Sequence, residues 1–575
     1  MPLPNAEIAR VLREIADLLE IQNANPFRVR AYRNAARTVE EHPESVAAIA
    51  ARDPDELTEI PGVGKDLATT ITEIAKKGTA KQLRDLQREA PAGALEMLSV
   101  PNVGPKRARI LAERLKIRTR EGLLKAARAG KLADEPGLGA VIQSKILRDL
   151  EAHREEEHRI SRAAAAQYAE PLLERLRRVR GVTAADIAGS FRRARESVGD
   201  IDMLVRADDG AKVVDAFTSA PEAADVIESG ATKAAIRLHN GLRVDLRVFD
   251  RDSYGAGLHY FTGSKAHNIA IRKLGQARKL KINEYGVWKG EKRVAGREEK
   301  EIFDAVGLPW IPPEMREDRG EIEAARAGKL PDLVELADIR GDLHSHSTGS
   351  DGRNTIEEMA RAAEELGYEY LAITDHSPAV RVTNGMDDAG FKKQMAAIDK
   401  LNAKLSKLTV LKGAEVDIHK DGTLDLKDAT LAALDIVLVS IHSYFDLPPK
   451  EQTARVLKAL SHAHVDVFAH PTARLIGRRR PAAFDLEAAI KAALDHGVMM
   501  EIDAQPERLD LDDVSARTAH ERGVMLTIDT DAHALPELTG MRWGVDQARR
   551  AWVSKKGIAN TRPLGRLLKL LHAAR

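Results

Sequence analysis

The sequence predicts a multidomain protein with an α-helical N-terminal part, an α+β middle part and a C-terminal distorted β/α barrel. Its 575 residues exceed what one hydrophobic core usually organises. Apolar residues follow a helical period near the N-terminus, alternate with charged residues in the middle and form short runs between helical stretches at the end. Twelve of the 18 histidines lie from His344 onward, which indicates metal chemistry in the barrel.

Composition narrows the class of protein. The chain has no cysteine, which excludes disulfides and thiolate zinc sites. Its 89 Lys and Arg residues balance 88 Asp and Glu residues, so only local charge can indicate a nucleic-acid partner. No apolar run approaches the roughly 20 residues of a membrane span, and the N-terminus lacks a signal-peptide pattern. We therefore expect a cytoplasmic protein with no membrane partner.

An amphipathic helix is predicted from Asn5 to Ile21, and two glycine hairpins follow it. Pro61-Gly62-Val63-Gly64-Lys65 leads into a helix, and Pro101-Asn102-Val103-Gly104-Pro105-Lys106-Arg107 repeats this design about 40 residues later. Glycine permits close approach to a phosphate, and the helix N-terminus supplies amides. The repetition favours helix-hairpin-helix motifs that hold the DNA backbone over ordinary joints between helices. The predicted DNA contacts are Gly62, Gly64, Lys65, Gly104, Lys106 and Arg107.

The middle part contains three aspartates on two predicted strands. Asp200 and Asp202 are two residues apart, so both point to one face of a strand. Apolar and charged residues alternate over 243–248, which puts Asp245 on the charged face of a second strand. An Asp-x-Asp pair alone is common on exposed strand edges, but here a third carboxylate and a Gly189-Ser190 lead-in accompany it. Three such carboxylates can hold two metal ions for phosphoryl transfer, with the lead-in cradling a triphosphate.

These motifs resemble the palm of family X DNA polymerases, within the nucleotidyltransferase superfamily. The resemblance implies that Asp200, Asp202 and Asp245 are catalytic and hold Mg²⁺ or Mn²⁺, with Asp245 also activating the primer 3′-hydroxyl. Tyr-Phe-Thr-Gly-Ser at 260–264 is a specific signature of the family, and its aromatic pair would flank the sugar of the incoming nucleotide. The expected nucleotide contacts are Gly189, Ser190, Arg193, Gly199, Tyr260, Phe261, Gly263, Lys265 and Asn268.

Several positions depart from the family pattern, including Asp66 at a position that is usually basic. Thr70 stands where the repair polymerases carry a lysine that forms a Schiff base with an abasic sugar, and threonine has no amine for that reaction. An abasic-site lyase of the usual kind is therefore not expected. Lys265 replaces an acidic residue of the vertebrate repair enzymes, and its cation is expected to contact either the nucleotide phosphates or the template.

The C-terminal part consists of short apolar runs that end in potential metal ligands. The predicted strands are Leu371–His376, Val410–Glu415, Ile436–His442, Val465–His470, Val498–Asp503 and Val524–Asp531. In β/α barrels, catalytic groups lie at the carboxyl ends of strands. The predicted metal ligands are His344, His346, Asp351, His376, Glu415, His442, His470, Asp531 and His533. Nitrogen and oxygen ligands without sulfur suit two or three ions of Mn²⁺, Zn²⁺ or Fe²⁺.

This pattern resembles the PHP (polymerase and histidinol phosphatase) domain, a metal-dependent phosphoesterase. Every ligand position of that family is filled here, so a purely structural domain is not expected. The first pair, His-x-His at 344–346, is predicted to lie on a strand with both imidazoles on one face. Asp417 and Asp503 are expected to support the ligands, and Arg474 to contact a phosphate.

The motifs divide the chain into six predicted segments. Residues 1–90 form a helical domain with the first hairpin, 91–155 a fingers domain with the second, 156–250 the palm, 251–315 the thumb, 316–339 a charged and partly helical linker, and 340–575 the PHP domain.

The combination resembles the bacterial and archaeal family X DNA polymerases. It implies gap-filling DNA synthesis in repair and a metal-dependent 3′–5′ exonuclease, with abasic-site endonuclease or 3′-phosphatase as further activities of some relatives. Gapped or primed DNA and deoxynucleoside triphosphates are the expected partners of a monomer. Two alternatives remain open: a phosphoesterase whose idle polymerase half only binds DNA, and a non-enzymatic scaffold for DNA ends.

Overall fold

The computed structural model describes residues 5–22, 24–40, 46–60, 62–91, 93–98, 100, 103–156, 159–379 and 383–572. The chain divides into two compact units, Met1–His158 and Arg159–Arg575. Across the described residues, none of the helices combines the length and the apolar character that a membrane crossing requires.

The first unit is helical, as predicted. Its first helix has the predicted bounds and buries an apolar stripe that includes Ile8, Leu12 and Ile15. This stripe belongs to one hydrophobic core, and a second core forms around Leu111 and Leu123. The described helices are Asn5–Ile21, Pro26–Glu40, Val46–Arg52, Lys65–Lys77, Lys81–Glu89, Ala94–Leu98, Pro105–Glu113, Arg120–Arg128 and Gly139–Glu156, with a 3₁₀ turn at Pro54–Glu59.

A five-stranded mixed sheet, the middle sheet, begins the second unit. Its strands in spatial order are Val182–Ile187, Asp200–Ala207, Arg243–Phe249, Lys233–Leu238 and Ala223–Ser229. The two strands that carry the aspartates are parallel neighbours, and the other pairs are antiparallel. Met203, Val205 and Leu246 pack in one core with the helices Arg162–Arg177 and Gly210–Thr218. The predicted alternation is confirmed, and the aspartates lie on the opposite face.

A smaller helical layer follows the middle sheet. Its helices are Tyr254–Thr262, Lys265–Ala277 and Glu299–Ala305. An antiparallel meander accompanies them, with strands Lys281–Asn283, Gly286–Lys289 and Lys292–Ala295. The short helix Gly189–Arg192 lies earlier, between the strands Val182–Ile187 and Asp200–Ala207. A further antiparallel pair joins Ile160–Ser161 to Ser197–Val198.

The segment 316–339, predicted as a charged linker, is partly helical but packed. Its helix spans Glu321–Arg326, and the side chains of Arg316 and Glu321 are fully buried. Arg316 donates to Glu299 at 2.6 Å, and Glu321 lies 2.7 Å from the ring of His267. Buried charges are stable only with such partners. The high density of charged residues in this segment therefore does not make the whole segment exposed.

The C-terminal part is a near-closed barrel of seven parallel strands that follow chain order. The strands are Gly341–Asp342, Tyr370–Ile373, Thr409–Asp417, Ile436–Ser440, Val467–Phe468, Met499–Asp503 and Leu526–Asp529. Just beyond the ends of the first and last strands, Ser345 and Ala532 form a parallel bridge that brings the two edges of the sheet together. The surrounding helices are Ile356–Glu365, Asp388–Asn402, Asp428–Leu431, Pro449–Leu460, Leu486–His496, Asp513–Glu521, Met541–Arg550 and Leu564–His572, with 3₁₀ turns at Leu535–Gly540, Lys555–Gly557 and Ala559–Thr561. Two further 3₁₀ turns, Pro313–Met315 and Leu336–Asp338, precede the barrel.

The prediction that His344 and His346 lie within a strand is wrong. The first strand ends at Asp342, and the two histidines flank the bridged residue Ser345 just beyond it. The amide of His346 donates to the carbonyl of Ala532 at 2.8 Å, so the chain is still extended there. The strand is short because it pairs with the neighbouring strand Tyr370–Ile373 over only two residues.

Candidate active sites

Three aspartates share one face of the middle sheet. Asp202 lies beside Asp245 on parallel neighbouring strands, and Asp200 is two residues before Asp202. Burial, together with the negative charges of Asp200 and Asp245, raises the pKa of Asp202 to about 7. The fold therefore brings the three predicted carboxylates to one acidic surface.

Arg243 pairs with the third of these aspartates. Its Nε and Nη2 donate to the two carboxylate oxygens of Asp245, each at 2.7 Å. In the part of the chain that the structure describes, the tight groups of three or more potential metal ligands lie in the barrel, and the aspartate trio is not among them. Neighbouring carboxylates repel one another, which explains why Asp245 takes a cationic partner. Metal binding by the trio stays a prediction.

A glycine turn approaches the aspartates closely. Gly189 opens the helix Gly189–Arg192 with a φ of 62°. A Cβ at this position would lie 2.6 Å from Oδ2 of Asp202, so a side chain here would displace the carboxylate. Ser190 lies in the same turn, and Gly199 directly precedes the strand of the acidic pair.

Two arginines join this turn to the Tyr-Phe-Thr-Gly-Ser signature. Arg192 donates to Oγ1 of Thr262 at 2.7 Å. Arg193 donates from Nε to Glu317 at 3.1 Å and from Nη1 to the carbonyl of Thr262. A Cβ at Gly263 would lie 3.1 Å from Nη1 of Arg193, so glycine keeps room for this guanidinium.

The aromatic pair of the signature is half-buried. The ring centroids of Tyr260 and Phe261 are 5.1 Å apart, and the guanidinium of Arg247 lies 4.5 Å from the Phe261 centroid. Asn268 donates to the carbonyl of Tyr260 at 2.7 Å, while its buried Oδ1 has no hydrogen-bond partner among the described residues. Such an atom commonly marks a place for a polar ligand or water. Lys265 is exposed at the start of its helix.

The glycines of the N-terminal hairpins stand at helix starts. Gly64 and Gly104 occupy the N-cap positions of Lys65–Lys77 and Pro105–Glu113. Gly62 has a φ of 85°, a conformation that favours glycine. No described atom would lie within 4 Å of a Cβ at these three positions, so this backbone is open to a ligand.

Basic residues follow these glycines. Lys65 and Lys106 are exposed, whereas Arg107 is half-buried and donates to the carbonyl of Gly137 at 3.4 Å. Thr70 is half-buried, and its hydroxyl donates to the carbonyl of Asp66 at 2.9 Å. DNA contacts by these residues stay a prediction.

Glu415 lies at the centre of the ligand cluster in the barrel. One or other of its carboxylate oxygens is 2.8–3.5 Å from a ring nitrogen of each of five histidines, namely His344, His346, His376, His442 and His470. Although Glu415 is buried, these histidines hold its pKa well below the usual range. A single charged carboxylate thus contacts five histidines from four chain segments.

Eight of the predicted ligands fall into three groups whose ligand atoms lie within 4.8 Å of one another. The groups are His346, Asp351, His376 and His533; His344, His346, Glu415 and Asp531; and His376, Glu415 and His442. His470 lies outside these groups, 2.8 Å from Glu415. Because His346, His376 and Glu415 each belong to two groups, the groups adjoin one another as the ion positions of a multi-metal site do.

The unpaired atoms of this cluster fit metal ions. Nearly all buried polar atoms in folded proteins have hydrogen-bond partners. The buried atoms that lack a partner among the described residues include Nε2 of His344, both ring nitrogens of His346, Nδ1 of His376, Oε2 of Glu415 and Oδ1 of Asp531. Imidazole nitrogens and carboxylate oxygens that converge in this way are a donor set for Mn²⁺, Zn²⁺ or Fe²⁺.

Carboxylates around the cluster orient its histidines. Asp417 accepts a hydrogen bond from the amide of His442 at 3.2 Å, in line with the supporting role expected for it. Glu501, which was not predicted, lies 2.7 Å from Nδ1 of His344. Its position two residues before Asp503 on one strand face is a sequence signal that could have identified it.

Arg508 is a further cation in the site that was not predicted. Its Nε lies 3.4 Å from Asp503 and 3.7 Å from Asp531, and its buried Nε and Nη1 have no hydrogen-bond partner in the described part of the chain. Arg474, whose expected contact with a phosphate stays a prediction, donates to Glu196 at 2.8 Å. No spacing rule marks Arg508, because it lies on the loop after a strand.

Five family models match successive parts of the chain. They are described as helix-hairpin-helix domain (residues 3–80), SAM-like helix-hairpin-helix tandem (94–152), DNA polymerase beta palm (159–240), DNA polymerase beta thumb (257–317) and PHP domain (342–505). The predicted fold classes of the helical, palm, thumb and barrel parts are confirmed.

Similar proteins extend this result to the whole chain. Over 563 residues, 97% of each protein, the chain is 38% identical to the DNA polymerase/3′-5′ exonuclease PolX of Bacillus subtilis (strain 168). Over 231 residues, 38% of this chain and 89% of the other protein, it is 27% identical to a probable phosphatase of Thermoanaerobacter sp. (strain X514). Over 201 residues, 33% and 78%, it is 29% identical to a probable phosphatase of Acetivibrio thermocellus. With its palm, thumb and PHP matches and its near-complete overlap with PolX, the chain belongs to the family X DNA polymerases that carry a C-terminal PHP domain.

Proposed function

We propose that this protein fills short gaps in DNA as a DNA-directed DNA polymerase and removes nucleotides from 3′ ends with its PHP domain. The observation that carries this proposal is that one chain, similar to PolX over 97% of its length, has both an aspartate trio on the palm and a ligand cluster in the barrel. Two such centres allow two phosphoryl-transfer reactions. The proposed substrates are gapped or primed DNA and deoxynucleoside triphosphates, used by a monomer in the cytoplasm.

In the palm, Asp200, Asp202 and Asp245 would hold Mg²⁺ or Mn²⁺, which neutralise the charge of the transferring phosphoryl group. Asp245 would accept the proton of the primer 3′-hydroxyl, and this contact would replace its pairing with Arg243. The backbone at Gly189 would contact the triphosphate, since glycine places no side chain between them.

Arg193 and the signature residues would bind the rest of the nucleotide. The guanidinium of Arg193 contributes a fixed positive charge for phosphate oxygens. Tyr260 and Phe261 would line the sugar and leave no space for a 2′-hydroxyl. Asn268, held by the Tyr260 carbonyl, would reach the minor-groove edge of the base pair.

In the PHP domain, the predicted ligands would hold two or three ions of Mn²⁺, Zn²⁺ or Fe²⁺, which activate water for attack on a phosphodiester. Glu415 would link the ligand groups, since it belongs to two of them. Glu501 and Asp417 would hold His344 and His442 in their orientations.

We assign the phosphate contact of the PHP site to Arg508. A cation beside metal ligands is favourable only where negative charge balances it, and Asp503 and Asp531 supply part of that charge. Its Nε and Nη1, which have no hydrogen-bond partner among the described residues, are suited to an oxygen of the scissile phosphate.

Replacing Arg508 with methionine should lower kcat/KM for 3′-end shortening by about 100-fold, because one charge-assisted contact to the phosphate is lost. Metal content and nucleotide incorporation should not change. Exonuclease kinetics and elemental analysis of the purified variant check this. Arg478→Met is the matched control, since Arg478 is exposed and pairs with Glu507. Loss of metal in Arg508→Met would instead indicate that Arg508 maintains the ligand cluster.

The proposed function is tested with one labelled primer on a one-nucleotide gap that carries a 5′-phosphate. With Mn²⁺ and deoxynucleotides we expect extension, and with Mn²⁺ alone we expect shortening from the 3′ end. Shortening without extension, across several metals and gap lengths, would make the protein a nuclease whose palm only binds DNA. Absence of both reactions in the presence of Mn²⁺, together with empty metal sites in the purified protein, would favour a scaffold.

A further inference from the structure

A barrel arginine reaches the nucleotide loop of the palm, residues 189–196. Arg550 ends the helix Met541–Arg550, and only 3% of its side chain is exposed. Its Nη1 donates to the backbone carbonyl of Arg193 at 2.6 Å and to Glu317 at 3.0 Å. Glu317 also accepts from Nε of Arg193 at 3.1 Å. One PHP side chain therefore contacts both the backbone and the carboxylate partner of Arg193.

Arg550 is itself held from the barrel side. Its Nη2 donates to Asp513 at 2.7 Å, and Asp513 also accepts from Arg319 at 2.9 Å. Although burial opposes it, the two arginines lower the pKa of Asp513, so this carboxylate is charged. Asp513, Arg550, Glu317 and Arg193 alternate in sign, and each buried charge therefore has a partner of opposite sign.

Other barrel residues hold the palm beside this loop. Arg474 donates at 2.8 Å to Glu196, the last residue of the nucleotide loop. Arg162 on the first palm helix lies 2.7 Å from Asp546 and 4.7 Å from the ring centroid of Trp543. The nucleotide loop therefore contacts the barrel at Arg193 and at Glu196. The barrel also contacts the palm outside this loop, at Arg162.

We propose that Arg550 is a positioning residue for nucleotide binding, so that the PHP domain completes the polymerase site without touching the nucleotide. The inference rests on the proposed role of Arg193 in binding the triphosphate. Arginine loses considerable rotamer freedom when it binds an anion. Arg550 holds the carbonyl of Arg193 and the carboxylate of Glu317. The rotamer freedom of Arg193 is therefore already reduced before the nucleotide arrives.

Arg550→Met tests this, since methionine removes the charge and the donors while keeping an unbranched side chain. In gap filling by the full chain, KM for the deoxynucleotide should rise about tenfold with little change in kcat, as for other supporting residues. The 3′–5′ exonuclease rate and the metal content should not change. Arg550→Lys should restore part of the affinity, because a positive charge and an ammonium donor group remain.

Arg542→Met is the matched control. Arg542 lies on the same barrel helix and also pairs with a palm residue, Glu170, at 3.0 Å, but it is 45% exposed and has no contact with the nucleotide loop. An equal rise in KM for this control would mean that any loss of barrel–palm pairing perturbs the polymerase site, and the assignment to Arg550 would be wrong.

A double-variant cycle separates the inference from the function on which it rests. Arg193→Met should raise KM, and adding Arg550→Met should raise it no further, because Arg550 acts through Arg193. An unchanged KM in Arg193→Met would overturn the proposed role of Arg193 and the inference with it. If Arg193→Met raises KM, two results would overturn the inference alone. One is that Arg550→Met leaves KM unchanged, and the other is that its effect on KM adds fully to that of Arg193→Met in the double variant. If Arg550→Met does not fold, Glu317→Gln carries the same comparison.

Discussion

Glu415→Gln should abolish shortening of DNA 3′ ends and lower the metal content of the purified protein, while nucleotide incorporation continues. Glu415 contacts five histidines and belongs to two ligand groups, so one oxygen-to-amide exchange weakens several ion positions together. We expect a loss of at least about a thousandfold in exonuclease rate, roughly 4 kcal/mol of transition-state stabilisation. Single-turnover primer degradation and elemental analysis measure the two effects.

Glu451→Gln is the control for this variant. Glu451 is exposed on the barrel helix Pro449–Leu460, so the same chemical change there should leave both activities and the metal content intact. Full exonuclease activity in Glu415→Gln would contradict the assignment of the cluster as the nuclease site.

Asp245→Ala should abolish nucleotide incorporation and leave the exonuclease intact. The variant removes one carboxylate of the aspartate trio and the proposed acceptor for the primer proton, so two contributions are lost together. The expected loss is at least about a thousandfold in the incorporation rate. Incorporation on the one-nucleotide gap, measured beside 3′-end shortening of the same primer, checks both statements.

Asp225→Asn is the matched palm control. Asp225 is exposed on the strand Ala223–Ser229, away from the trio in the order of the sheet, and its replacement should change neither reaction. Loss of both activities in a folded Asp245→Ala variant would show that the palm and barrel sites do not act separately.

Much of the barrel site could be predicted from residue order. Apolar runs identify buried parallel strands, and in a β/α barrel the residues that follow such runs meet at one end. Glu415 and His442 were found in this way, although they come from different strands. Their exact strand bounds were less predictable, as His344 and His346 show, because pairing with neighbours decides where a short strand ends.

Residues that act through distant partners were not predictable. Arg508 and Arg550 follow no periodic pattern, and nothing in their neighbourhood along the chain names Asp531 or Arg193 as a partner. The pairing of Arg474 with Glu196 was likewise not predicted, and the phosphate contact expected from its proximity to His470 in sequence stays a prediction.

The sequence by itself determined the family and the order in which the domain folds follow one another along the chain, since periodicity and short motifs are local properties. It also predicted the chemical type of both sites. Only the tertiary structure decided which charges are buried, as in the segment of Arg316 and Glu321, and which barrel side chain holds Arg193. The physical reason is that ion pairs and ligand clusters depend on distances through space, and residues such as Arg193 and Arg550 become neighbours only when the palm and barrel pack together.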